Sequence, residues 1–199
     1  MEKQCPWKLF FGKWNTMTLI AIAVGAIVFG LLMVLGNVPL FSGVSLSMAM
    51  FVPVIIGAFF GAVPAFFALF MGSIAMDMLI VMGMNFDYAV GFGVLGLFVG
   101  ALPMYGARVD KGVFTLGHAV VYVLFCVVGQ IVAFGLLTPF LTSTFYYYRF
   151  WGYNVFESFI ENIDQISVLV VLGAPLLYVI AKINKRDQFS EHIINDSGI

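Results

Sequence analysis

The chain has 199 residues, of which 62% are hydrophobic and only 10% are Asp, Glu, Lys or Arg, with a formal net charge of -1; ordinary soluble domains carry roughly 25% charged residues. At a mean hydropathy of +1.07 there is too little polar surface to clothe a globule in water, so the solvent for most of this chain is lipid. Disorder, a disulfide scaffold and nucleic-acid binding are excluded as main themes, because the net charge is close to zero and the two cysteines, Cys5 and Cys126, sit far apart in unlike surroundings.

In chain order, Lys3, Lys8 and Lys13 precede an apolar run from Met17 to Leu35. That run is longer than a secretion-signal core, lacks a small-x-small cleavage site and is followed by further apolar runs, so it is expected to be a retained first helix. No ionisable side chain occurs between Lys13 and Asp77. At about 20 apolar residues per bilayer crossing, this stretch has room for three spans. The expected spans are 15–35, 44–61, 62–82, 87–106, 114–138 and 158–181, with glycine and proline joints at Gly36 to Pro39, Gly61 to Pro64, Gly83 to Asn85 and Gly106 to Gly112. The fold class is therefore an all-α membrane protein, a bundle of six transmembrane helices. Residues 1–13 form a basic leading segment, 14–183 the membrane domain and 184–199 a polar tail. Strands are not expected, because the apolar runs are continuous instead of alternating. Six spans with a cytoplasmic amino terminus place Lys3, Lys8, Lys13, Arg108, Lys111, Lys182, Lys185 and Arg186 inside and Arg149 outside, so both termini are expected to be cytoplasmic.

With that topology the polar residues gather at the outer ends. Asp77 is the only charge well inside the third run; it is read either as functional, the default for an ionisable residue at membrane depth, or as a structural hydrogen-bond acceptor. Glu157, Glu161 and Asp164 share one stripe of the last span, flanked by Asn162 and Gln165. Such a stripe suits a cationic or hydrogen-bonding ligand, or is a solvated first turn favoured by the helix dipole. The run from Phe145 to Tyr153, with Tyr147, Arg149 and Trp151, is either an interfacial aromatic belt or a lid that stacks on a planar ligand. The first span has Ala21-x-x-x-Gly25 and Ala26-x-x-x-Gly30, spacings that bring backbones close, within the bundle or with another subunit. Gly91-x-Gly93-x-x-Gly96 matches a dinucleotide fingerprint in letters only, because it lies inside an apolar span; helix packing is expected of it. No nucleophile elbow, zinc-protease motif or Cys/His cluster is present, and no phosphate loop.

Several phrases together resemble a family. They are the small-residue first span, the passage from Val52 to Pro64 with its glycines and prolines, Met71 to Leu79 around Asp77, Gly93 to Gly100, Leu136 to Phe140 before the aromatic run, and Asn162 to Leu177 followed by Lys185-Arg186. The chain is similar to the substrate-capture (S) components of energy-coupling factor (ECF) vitamin transporters, and within them to the riboflavin branch. The resemblance implies a multi-pass subunit of the bacterial cell membrane with no catalytic residues, cofactor or metal of its own. It implies capture of a vitamin or cofactor precursor from outside, and delivery by toppling when docked on a transmembrane coupling subunit driven by two ATPases. By resemblance, the ligand pocket maps onto Asn85, Asp87, Gln130, Tyr147, Trp151, Asn162 and Asp164, and the docking face onto Ala21, Gly25 and Ala26. A flavin is favoured, with a cationic thiamine-like precursor or a haem as alternatives. A different reading is a membrane enzyme acting on a lipid or isoprenoid through Asp77 and the carboxylates of the last span.

Overall fold

The computed structural model describes residues 10–12, 14–41, 44–81, 83–146, 155, 156, 158, 160 and 162–197. Helix α1 is Thr16–Leu35; its start is set by Asn15, whose Oδ1 accepts the Thr18 N–H at 2.9 Å. A two-stranded antiparallel hairpin follows, β1 Asn37–Phe41 and β2 Val44–Ser47, with Asn37 opposite Ser47 and Val38 opposite Leu46. Helix α2, Met48–Phe60, is short, and Gly61, at φ 101°, turns the chain into α3. Helix α3 comprises Ala62–Met76 and a π-helical end, Asp77–Val81. Helix α4 is Phe86–Val99, and a turn at Val109–Lys111 leads towards α5. Helix α5 comprises Leu116–Gln130, a π-helical segment Ile131–Leu137 and Thr138–Phe145. Helix α6 comprises Ile163–Val168, a π-helical segment Leu169–Gly173 and Ala174–Ser197.

Among the described residues, five helical stretches are long and apolar enough to cross a membrane: Thr16–Leu35, Ala62–Ile80, Phe86–Tyr105, Leu116–Phe145 and Asp164–Arg186. The expected second span, 44–61, begins later as a helix: its first four residues are β2, where main-chain groups pair with β1, and the helix that remains, Met48–Phe60, is apolar but shorter than these five. The expectation that strands are absent is corrected by the same hairpin. Helix α5 outruns its expected end at Thr138, and its hydroxyls are met within the helix: Thr142, Ser143 and Thr144 each donate to the carbonyl four residues earlier, at 2.7–2.8 Å.

The helices pack through small residues. A Cβ added at Gly72 of α3 would lie 2.6 Å from the Ala26 carbonyl oxygen of α1, and one at Gly57 of α2 only 2.5 Å from Gly100 Cα. Those contacts are feasible only because neither glycine has a side chain. The seams close on a core of Phe29, Phe92 and Phe134, whose rings meet edge to face with centroids 5.1–5.5 Å apart. At the other end of the bundle, Asn184 donates to the Val109 carbonyl at 2.9 Å, tying the far part of α6 to the turn between α4 and α5.

Candidate functional site

Two groups of buried polar side chains lie towards the end of the bundle that carries the hairpin. The first is built on carboxylates. Asp77, 6% exposed, closes the top of α3 by accepting the Asn85 N–H on Oδ2 at 3.0 Å, just before α4 begins. Asp87, in the first turn of α4 and 3% exposed, accepts the Thr142 hydroxyl of α5, and its carbonyl accepts the Thr138 hydroxyl at 3.4 Å. Tyr146 adds a hydroxyl bond to the Met84 carbonyl at 2.9 Å. Asp77 thus ties α3 to the start of α4 and Asp87 ties α4 to α5, and donors from the chain itself meet both carboxylates.

The second group is built on amides and lies further down α5, a dozen residues before Thr142, or roughly 18 Å along the helix. Gln130, fully buried in α5, donates from Nε2 to the Asn162 carbonyl at 2.6 Å. Asn162, just before α6, donates from Nδ2 to the Ser158 carbonyl at 2.8 Å and accepts from Gln165 Nε2 on Oδ1 at 2.5 Å. Main-chain carbonyls fix the orientation of Gln130 and Asn162, and Asn162 Oδ1 in turn fixes Gln165, since a flip of any one would set two acceptors face to face. The consequence is that Gln130 Oε1 and Gln165 Oε1 are left over. Both are buried and find no partner among the described residues, and Ser47 Oγ at the end of β2, on a strand packed against the start of α6, is in the same state. The only other such atom among the described residues is Tyr105 Oη, in the turn Leu102–Tyr105 beyond the far end of α4. A buried acceptor without a donor costs about 1–3 kcal/mol, so three around one helix start are a concentrated expense. Both helices also widen into π-helical segments next to these amides, a feature frequent where a helix serves function instead of packing alone.

Of the residues expected in a pocket, Gln130 and Asn162 are brought into direct contact, and Asp164 is half-buried in the first turn of α6. Asp87 is buried with the carboxylate group, whereas Asn85 is exposed. Tyr147 and Trp151, with Glu157 and Glu161, lie outside the described residues. Gln165 and Ser47 were missed as site residues. Gln165 was detectable from its one-turn spacing to Asn162; Ser47 carried no signal, because it sits in what reads as a helix. On α1, Gly25 and Ala26 are buried against Ile56, Ala68 and Gly72 of the same chain, and Ala21 is half-buried. The outward face of α1 is made instead by Ile20, Val24, Ile27 and Leu31. The glycines of the apparent dinucleotide fingerprint pack as expected, Gly93 on the Phe66 ring and Gly96 on the Ala65 backbone.

Five helices long and apolar enough to cross a membrane, packed around an apolar core, are the architecture of a multi-pass membrane protein. The family model of the ECF-type riboflavin transporter S component matches residues 13–182, and the chain belongs to that family. Its members are substrate-binding subunits of transporters, not enzymes, and work with a transmembrane component and ATPase subunits. Similar curated proteins include a UPF0397 protein of Streptococcus thermophilus, 24% identical over 166 residues, covering 82% of this chain and 90% of the relative. Others are UPF0397 proteins of Vibrio atlanticus, 28% identical over 179 residues (88% and 97% covered), and of Aliivibrio salmonicida, 23% identical over 187 residues (90% and 96% covered). No solved structure gives a match.

Proposed function

We propose that this chain captures a riboflavin-like vitamin or cofactor precursor from outside the cell at the amide group of Gln130, Asn162 and Gln165, with Ser47 on the hairpin side. Six crossings, counting α2, put both termini in the cytoplasm and the hairpin outside. A single observation carries the reading: the unmet oxygens of Gln130, Gln165 and Ser47. Buried polar atoms in a membrane protein are met by the chain itself, by water or by a ligand. Asp164, Tyr147 and Trp151 are the further groups through which a planar ligand is oriented, while Asp87 and Asn85 belong to the fastened rim. The chain contributes binding; a coupling subunit and two ATPases supply the energy, and delivery proceeds by toppling of the loaded subunit.

The test is to extract the chain in mild detergent, record its absorption spectrum, identify any co-purified compound by mass spectrometry, and titrate riboflavin into emptied protein. Stoichiometric flavin is the expected result. A different stoichiometric vitamin keeps capture and changes the substrate, whereas protein that holds and binds nothing ends the capture reading.

Docking is proposed for the outward side of α1 beside Ala21, since Gly25 and Ala26 are used within the bundle. Ala21→Trp should abolish uptake in cells that contain the coupling module while leaving ligand binding in detergent within about twofold; unchanged uptake removes this face from consideration.

A further inference from the structure

We propose that the ligand meets the amide group as a hydrogen-bond donor: a neutral molecule that places one N–H or O–H on Gln130 Oε1 and another on Gln165 Oε1. This rests on the capture reading above and sharpens it to a chemical class.

The polarity follows from how the amides are spent. Each amide nitrogen already donates into the chain, Gln130 Nε2 to the Asn162 carbonyl, Asn162 Nδ2 to the Ser158 carbonyl and Gln165 Nε2 to Asn162 Oδ1, which uses one of its two N–H groups. The atoms here with no partner at all among the described residues are two carbonyl-type oxygens that only accept, and the Ser47 hydroxyl, which does either. A ligand whose polar edge consists of carbonyls, ring nitrogens without hydrogen, or carboxylates would face these oxygens lone pair to lone pair. Ser47, Gln130, Ser158, Asn162 and Gln165 carry no formal charge, and Asp164 beside them in the first turn of α6 is an acid, so an anionic ligand would give up its hydration here without finding a cation. Imide or lactam N–H groups of a heterocycle and the hydroxyls of a polyol chain satisfy both requirements. An anionic porphyrin and a quaternary cation without N–H or O–H at this depth do not.

The experiment uses the full chain in detergent and paired probes that differ in donors alone: riboflavin with 3-methylriboflavin, lumichrome with 1,3-dimethyllumichrome, and uracil with 1,3-dimethyluracil. Kd is measured by flavin fluorescence or thermal shift, and any co-purified compound is identified. The donor-bearing member of at least one pair should bind at least tenfold more tightly than its methylated partner, and any co-purified compound should be neutral with two or more N–H or O–H groups. Gln165→Met should bring the ratio within a pair towards one; Gln130→Met provides the same readout should the first variant fail to fold. Binding that is indifferent to methylation, or a co-purified compound with fewer than two donors, overturns the donor assignment while leaving capture intact. Binding of no probe, with nothing co-purified, overturns capture and the donor assignment together.

Discussion

The carboxylate group at the top of α3 and α4 and the amide group at the start of α6 are both buried and polar, yet they stand in opposite states. Asp77 and Asp87 have their donors supplied by Asn85 and Thr142, so the charged residues, the ones a reader of a membrane sequence notices first, serve as fasteners between helix ends. The uncharged Gln130 and Gln165 are the residues with oxygens to spare. In lipid, what separates a fastening group from a binding group is whether the chain has already satisfied it, not how polar it is.

That contrast breaks most sharply at Asn162, which engages three neighbours through its carbonyl, Oδ1 and Nδ2. Asn162→Leu should weaken ligand binding by more than a hundredfold. It should also lower stability by about 2–4 kcal/mol, because the Ser158 carbonyl and Gln165 Nε2 lose their partners; titration and thermal unfolding in detergent read the two effects separately. Next in size is Gly72→Val on the α1–α3 seam, away from both polar groups. Its side chain cannot fit beside the Ala26 carbonyl, and the cost should be about 1–3 kcal/mol of stability, with Kd unchanged once the protein is folded. Asp87→Asn keeps an acceptor for the Thr142 hydroxyl, which also reaches the Thr138 carbonyl at 2.8 Å. Stability should fall by about 1 kcal/mol and Kd should rise by less than threefold; a tenfold loss of affinity would erase the distinction between the two groups. The smallest effect belongs to Asp77→Asn, which keeps an oxygen for the Asn85 N–H. Uptake should be retained, and its loss would return Asp77 to a direct part in transport.

Much of this was legible from residue order. Helices α1, α3 and α4 follow from long apolar runs punctuated by glycine, because a continuous apolar stretch in lipid has no alternative to satisfying its own backbone. The hairpin was not legible. Val44 to Ser47 alternates apolar residues with serine, but over four residues inside a long uncharged run that hint decides nothing, and only pairing with 37–41 reveals a strand. The continuation of α5 to Phe145 was hidden by its hydroxyls, which read as loop composition until each is seen bonded to its own helix. The polar residues after Ala181 read as a tail, yet α6 continues to Ser197, bracing the turn at Val109–Lys111 through Asn184. Within the site, Gln130 and Asn162 were conspicuous as amides in apolar surroundings, whereas their orientation, and hence which oxygens are left over, depends on main-chain carbonyls that no sequence pattern announces.

The unequal helices have a consequence for the surrounding bilayer. Leu116–Phe145 is about 45 Å long at 1.5 Å per residue, and Met48–Phe60 only about 20 Å, against a hydrocarbon thickness of about 30 Å. No flat slab matches both. The lipid annulus must thin beside the short helix, and the long one must tilt or carry its end beyond the acyl chains. The protein thereby imposes a standing gradient of membrane thickness around its circumference, so the lipid itself exerts a torque on how the bundle stands in the bilayer.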